Sequence, residues 1–394
     1  MQVGLAISIG GMNTPTHLVD AAALPAPAGV QDWLDAIAHA RAHESHLRIV
    51  GGQTKQFMCA SPVGNTPVLD TRIYRGVVSY EPSELVLTAR AGTPLTEVEA
   101  ALAERGQALA FEPPHFGPDA TLGGAVAAGL SGPARASVGA ARDFVLGAHL
   151  VNGRGEYMEF GGQVMKNVAG YDMSRLLAGS WGTLGVLAQV SVKVLPVAPG
   201  EATLQFDLDA AAAIAQLARW RAKPLPLNAS VWLADAQGPW AAGLWVRLRG
   251  AVAAVDAATR SMLADAPGQQ APNTAALWAG LREQQLACFE APADNLGLWR
   301  LSVAQNTAPI PGTVAMEWHG GQRWLWAPGS VGPELQRQAQ AAGGHAQLVR
   351  LPAQGGADVV RHTNPQGPLV AIHQRLKDAF DPDHVFNRGV LGLI

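Results

Sequence analysis

Residues 163–196 read QVMKNVAGYDMSRLLAGSWGTLGVLAQVSVKVLP. A basic, polar turn comes first, Lys166-Asn167-Val168-Ala169-Gly170-Tyr171-Asp172. A short amphipathic helix is expected next, with Met173, Leu176 and Leu177 on one face. A turn of small residues follows, Gly179 to Gly185. The stretch closes on a strand, Val186 to Leu195, in which Val190, Val192 and Val194 alternate with Gln189, Ser191 and Lys193. Gly182 and Gly185 permit backbone conformations and approaches that a Cβ would block. The string can set bare backbone against a flat ligand. It equally suits an ordinary helix-to-strand turn of an α+β domain.

Upstream lie two more glycine loops. An expected helix, Val30 to His43, carries Trp33, Leu34 and Ile37 at core spacing, and a strand from Leu47 to Val50 follows it. That strand runs into Gly51-Gly52-Gln53-Thr54-Lys55. Adjacent glycines let successive N–H groups converge on an anion, and Thr54 and Lys55 add donors. The spacing is not that of a Walker A loop, and no G-x-G-x-x-G occurs in the chain. Strands Val77 to Tyr80 and Leu85 to Ala89 come next, then a helix with Thr93 as N-cap and Pro94 at its first position. In the second loop, Gly123-Gly124 precedes Ala125, Ala127, Ala128 and Gly129, which leaves space along one side of the backbone. Asp119 and Thr121 are candidate caps, and His115 reads as structural. Arg142-Asp143 is either a local ion pair or a site where the arginine meets an anion. Leu146 to Phe160 reads as a hairpin with Asn152-Gly153 as a type I′ turn.

Composition bounds the rest. The chain has 394 residues, 48% hydrophobic and 15% charged, with a net charge of −3, so it can bury two sizeable cores. It has no Lys/Arg block, which argues against nucleic acid. Its two cysteines, Cys59 and Cys288, cannot hold an iron–sulfur cluster or a structural zinc. No apolar run reaches membrane-spanning length, and residues 1–12 read as a loose extension without a secretory pattern. Beyond Pro196 the texture changes, because nine of the eleven tryptophans lie between Trp220 and Trp326. Strands are expected at 202–208, 230–234, 244–248, 298–303 and 324–326, and helices at 210–221, 252–263, 276–288 and 333–341. Together they suggest an antiparallel sheet with helices on one face. The histidines of this half show no metal-binding spacing. A final helix runs through Ile372, Leu376 and Phe380 to the Asp381-Pro382 turn.

Taken together, the loops 51–55, 120–124 and 182–185 resemble the FAD-binding domain of the vanillyl-alcohol oxidase / p-cresol methylhydroxylase (PCMH) type. The 166–172 segment and the tail FDPDHVFNRG are similar to the family of glycolate oxidase E subunits. The resemblance implies an α+β protein: a two-lobed PCMH-type FAD domain over 13–198, a second α+β cap domain over 199–368, and a segment over 369–394 that returns to the FAD domain. It implies non-covalent FAD, with Gly51, Gly52, Gln53, Thr54, Lys55 and Gln56 at the pyrophosphate. Asp119, Thr121, Leu122, Gly123, Gly124, Gly129 and Ser131 would run along the dinucleotide, with Gly139, Arg142 and Asp143 nearby. Gly185 and Val186 would meet it through backbone atoms, and Asn387 would approach from the tail. Lys166, Tyr171 and Arg142 are the catalytic candidates.

The chain departs from catalytic relatives in lacking a cap histidine cluster for a metal, in carrying Ala125 and Gly129 where many have asparagines, and in lacking a recognisable flavin tether. The implied function is an FAD-dependent oxidoreductase subunit acting on glycolate or a similar small 2-hydroxy acid. Its partners would be a sister FAD subunit and an iron–sulfur subunit, in the cytoplasm or peripheral on the inner membrane. A non-catalytic scaffold and a stand-alone flavin oxidase are the alternatives.

Overall fold

The computed structural model describes residues 23–59, 66–162, 173–354, 361 and 368–391. Its first half is built on a six-stranded antiparallel sheet. The strand order is Ala23–Leu24, Tyr157–Gly161, Val145–Val151, Val186–Lys193, Val86–Arg90, Val77–Glu81. The strand that closes the quoted stretch is thus interior to the sheet. Val190 and Val192 face one core with helices Leu95–Ala103 and Leu122–Ala128, while Val186 and Ala188 face another. Both faces being covered, Ser191 is buried as well, and its hydroxyl pairs with that of Thr88 at 2.8 Å. The second core belongs to a smaller lobe, where helix Gln31–Ala42 packs Trp33 and Ile37 beside the parallel pair Arg48–Val50 and Val68–Asp70.

The second half is an eight-stranded sheet in which every neighbouring pair is antiparallel. It contains three strands that the pattern above missed, Gly268–Ala271, Thr313–Glu317 and His345–Arg350. Helices Ala210–Arg221, Val252–Asp265 and Gly332–Ala341 pack on one face. The fourth, Ala275–Arg282, packs on the other, with Met58, Ala128 and Leu130 of the first half. Helices on one face alone would leave Val231, Leu233, Trp245, Leu298 and Trp324 uncovered. This fourth helix also stops earlier than its apolar pattern suggests. Gln284 takes a left-handed φ of 51°, and the N–H of Gln285 turns back to the carbonyl of Gly280.

The tail helix Pro368–Phe380 ends at Asp381, which is fully buried. Asp381 accepts from the N–H groups of Val385 and Phe386 and from Lys377 Nζ at 2.6 Å. Lys377 also donates to the carbonyls of Thr183 and Phe386. Gly153 lets the hairpin lie against this knot, because a Cβ there would collide with Asp381. Its N–H donates to Phe380.

Three local expectations change. The hairpin loop is the wider Asn152–Glu156 turn, because Asn152 Oδ1 accepts from the N–H groups of Arg154 and Glu156 and Gly155 takes the positive φ. Thr93 does not cap its helix; its hydroxyl bonds the backbone of Gly76 and Arg90 instead. Leu176 is 43% exposed, so only Met173 and Leu177 of that helical face reach the core.

Candidate functional site

A cavity of about 410 Å³ opens between the glycine loops. Its floor is the end of strand Arg48–Val50 and the following loop through Phe57. Here five consecutive N–H groups, Gly51 to Lys55, have no acceptor among the described residues. Gln53 holds a left-handed φ of 55°, which turns the chain so that successive donors can share one focus. The charges agree with an anionic guest. Arg48, Lys55 and Arg361 line the cavity, and among the described residues no carboxylate does. Arg48 donates weakly to Gln53 from one end of its fork, while its buried Nε has no partner among the described residues. Burial pushes the Lys55 ammonium down to about 8, against the pull of Glu283. A nearby phosphate would restore its charge.

The opposite wall is the helix Leu122–Ala128, capped by Thr121, whose hydroxyl accepts from Gly124 N at 3.1 Å. The N–H groups of Leu122 and Gly123 go to the carbonyls of Thr93 and Ala91. This loop therefore offers a ligand surface and small side chains, not free backbone donors. The third wall is the Trp181–Gly185 turn. It is held by Asn387, whose Oδ1 accepts from Ile49 N at 2.8 Å and whose Nδ2 donates to Trp181 O at 2.7 Å. Asn387 thus fastens two walls together and spends its amide on doing so. Gly182 is glycine for this contact: its φ is +70° and a Cβ would lie 2.7 Å from Asn387 Nδ2. Gly52 is similar. A Cβ there would enter the carbonyl of Asp119, so this glycine serves loop-to-loop packing rather than a ligand.

Residues 21–161 match a family described as FAD binding domain. The glycolate oxidase subunit GlcE of Escherichia coli (strain K12) is 41% identical over 362 residues, spanning 91% of this chain and 96% of that protein. The chain belongs to the GlcE family. Glycolate oxidase subunit GlcD of Bacillus subtilis (strain 168) is 31% identical over 140 residues, 34% of this chain and 29% of that one. The mitochondrial D-lactate dehydrogenase [cytochrome] 1 of Saccharomyces cerevisiae is 28% identical over 184 residues, 44% of this chain and 31% of its own. Both shorter matches leave most of the partner sequence uncovered. Among solved structures, alkyldihydroxyacetonephosphate synthase superposes with a TM-score of 0.63 at 15% identity, over 91% of this chain and 75% of that one. That likeness concerns the fold, an α+β protein with an FAD-binding domain.

FAD fits the cavity by the nature of its donors. A pyrophosphate needs clustered N–H groups and cations, and the 51–55 loop with Arg48 and Lys55 supplies them. Of the residues expected to touch it, Gly51 through Gln56, Thr121, Gly123, Gly124, Gly185 and Asn387 line the cavity. Asp119, Leu122, Gly129, Ser131, Gly139, Arg142, Asp143 and Val186 do not. Leu122 and Val186 are core residues. Gly129 ends the 122–128 helix at φ 64°. Asp143 accepts from Ala140 N across the turn that holds Gly139, and Ser131 Oγ accepts from Ala141 N. Arg142 sits exposed on that same turn. Lys166 and Tyr171 lie outside the described residues.

Sequence reasoning missed Arg48, Trp181 and Arg361 as lining residues. Arg48 carried a signal, a lone cation inside an apolar strand just ahead of two glycines. Arg361 carried none, since only folding brings it to the carbonyl of Phe57, at 2.6 Å. Among the described residues no three His, Cys, Asp or Glu side chains gather as a metal site, and no helix is long and apolar enough to cross a membrane.

Proposed function

We propose that this chain is the FAD-binding subunit of a multi-subunit enzyme that oxidises glycolate or a similar small 2-hydroxy acid. The observation that carries it is the run of five N–H groups without an acceptor among the described residues, beside Arg48 and Lys55, in a chain aligned over most of its length with a glycolate oxidase subunit. The 51–55 loop binds the pyrophosphate, and Asn387 holds the walls that receive the remainder. FAD, when bound, supplies the two-electron acceptor. The cofactor is held without a covalent bond. The only cysteine lining the cavity is Cys59, whose thiol burial pushes up to about 12, which keeps it neutral and a poor nucleophile.

The division that accompanies this reading is an FAD domain over 13–198 with 369–394, and a cap over 199–368. The Lys377–Asp381 knot under Thr183 and the bonds from Asn387 support assigning the tail to the FAD domain. The partners are a sister FAD subunit, which oxidises the acid, and an iron–sulfur subunit, which takes the electrons one at a time. The complex works in the cytoplasm, peripherally on the inner membrane through its partners.

The test is an absorption spectrum and a dye-reduction assay. The purified chain should carry flavin bands. Glycolate-dependent dye reduction should appear in the co-purified complex and be slight in the FAD-loaded chain alone. A colourless chain that cannot be reconstituted would remove the FAD role. Equal specific activity from the isolated chain would replace the subunit reading with a stand-alone oxidase.

A further inference from the structure

The cap reaches the 51–55 loop through one carboxylate. Glu283 follows directly on helix Ala275–Arg282, and its side chain is largely buried. Its oxygens accept from the N–H groups of His115 at 3.0 Å and Phe116 at 2.7 Å. Phe116 holds a left-handed φ of 53°, which turns these successive donors toward one acceptor. The carbonyl of His115 accepts in turn from Lys55 Nζ at 3.2 Å, and the ammonium lies 5.8 Å from the centre of the Phe116 ring. Two steps thus lead from the end of a cap helix to the floor of the large cavity. A second cavity of about 30 Å³, room for about two waters, lies beside this contact and is lined by Met58, Phe116, Arg282 and Gln284. Lys55 does not line it, so the ammonium serves the large cavity.

Lys55 is only 7% exposed, and both its acceptors among the described residues, Thr54 Oγ1 and His115 O, are neutral. A buried ammonium in such a setting loses its proton readily. The charges around it are mostly of its own sign. Arg48 and Arg361 share the cavity lining, and Arg282 pairs with Glu283 at 2.7 Å. Glu99 is taken up by His115 Nε2 at 3.0 Å. Glu283 is the charge that draws the Lys55 ammonium back up against burial.

We propose that Glu283 is a positioning residue for the cofactor, fixing the 115–116 turn so that the His115 carbonyl aims Lys55 into the pyrophosphate end of the cavity. Its negative charge also favours the protonated amine. The identity of the guest as FAD rests on the function proposed above, whereas the link from Glu283 to Lys55 does not.

The experiment measures FAD affinity of the full chain by flavin fluorescence from about pH 6.5 to pH 9.5. The proteins are the native chain, Glu283→Gln, Lys55→Met and the double variant. Glutamine keeps an oxygen for the two N–H groups and removes the charge. Native affinity should fall at alkaline pH as Lys55 loses its proton. In Glu283→Gln the fall should begin earlier. A shift of about half a pH unit makes FAD about threefold weaker near pH 9 and leaves it nearly unchanged near pH 6.5. Lys55→Met should lack the alkaline fall, and adding Glu283→Gln to it should change nothing further. A Glu283→Gln loss that is equal at every pH, or that persists in the Lys55→Met background, would show a contact that only supports the fold and would overturn the proposal. A second readout needs neither FAD nor the lysine variant. The rate at which acetic anhydride acylates Lys55, followed by mass spectrometry, should reach its midpoint at lower pH in Glu283→Gln. A chain that binds no FAD while this midpoint moves would sink the cofactor reading and leave the link. A midpoint that stays put while FAD binds would sink the link alone.

Discussion

Glu317→Gln should change how stability depends on pH. Glu317 sits fully buried at the end of strand Thr313–Glu317, where burial raises its carboxyl from 4.5 to about 7. Hydrogen bonds from Trp324 and Gln322 and the charge of Arg300 pull the other way and lose. In the unfolded chain the same carboxyl ionises near 4.5. Between those pH values the folded protein holds a proton that the unfolded chain has released, so stability falls as pH rises across the window and levels off above it. The difference corresponds to about 3 kcal/mol, at 1.36 kcal/mol per pH unit. Glutamine keeps an oxygen to accept from Trp324 and Gln322 and cannot ionise. Any fixed packing cost of the amide is independent of pH. Urea unfolding of both proteins at pH 5, 6, 7 and 8 should therefore show the variant gaining on the native chain by about 2–3 kcal/mol from the acid to the alkaline end. A gap that stays constant across the series would show that Glu317 ionises normally and that its setting is wetter than the structure places it.

Gly52→Val should lower the melting temperature as well as the flavin content, because its side chain must displace the Asp119 backbone; unchanged thermal unfolding would contradict that contact. Asn387→Ala removes two hydrogen bonds worth about 1 kcal/mol each. FAD affinity, read by flavin fluorescence, should drop about tenfold or more if their loss lets the cavity walls part; native affinity would show that the walls hold without the clamp. Asp381→Asn leaves the Lys377 ammonium buried without its counter-ion and should cost about 3–5 kcal/mol in chemical unfolding; a loss under 1 kcal/mol would mean that Lys377 reaches water.

The elements that could be read from the chain are those whose signal is local. Period-two valines at 190 and 192 mark the central strand, and Gly51-Gly52 after an apolar strand marks the anion loop. The chemistry of each glycine was not legible. Gly52, Gly123 and Gly182 look alike in sequence. In the structure each is fixed by a different long-range neighbour, Asp119, Ala91 and Asn387. The same holds for donors. Gly123-Gly124 and Gly51-Gly52 have equal claims on paper. Yet the former pair is consumed by Ala91 and Thr121, whereas the latter has no acceptor among the described residues.

The two cavities connect these points. Both are bounded by backbone that local sequence makes small, the 122–131 segment, and by the turn at 56–58. Their chemistry comes from residues far away in the chain, Asn387 and Arg361 for one, Arg300 and Gln322 for the other. The cap sheet is itself fixed onto that wall. Glu112 accepts from both Arg247 and Arg249, Trp318 Nε1 donates to Gly132 O at 3.1 Å, and Glu283 takes the N–H groups of His115 and Phe116. The segments that flank that wall, 112–116 and Gly132, cannot swing away from the cap without breaking several of these bonds at once. Met58 and Leu130 line the small cavity, close in sequence to Phe57 and Ala128 of the large one. Methionine, unbranched and flexible, suits that position.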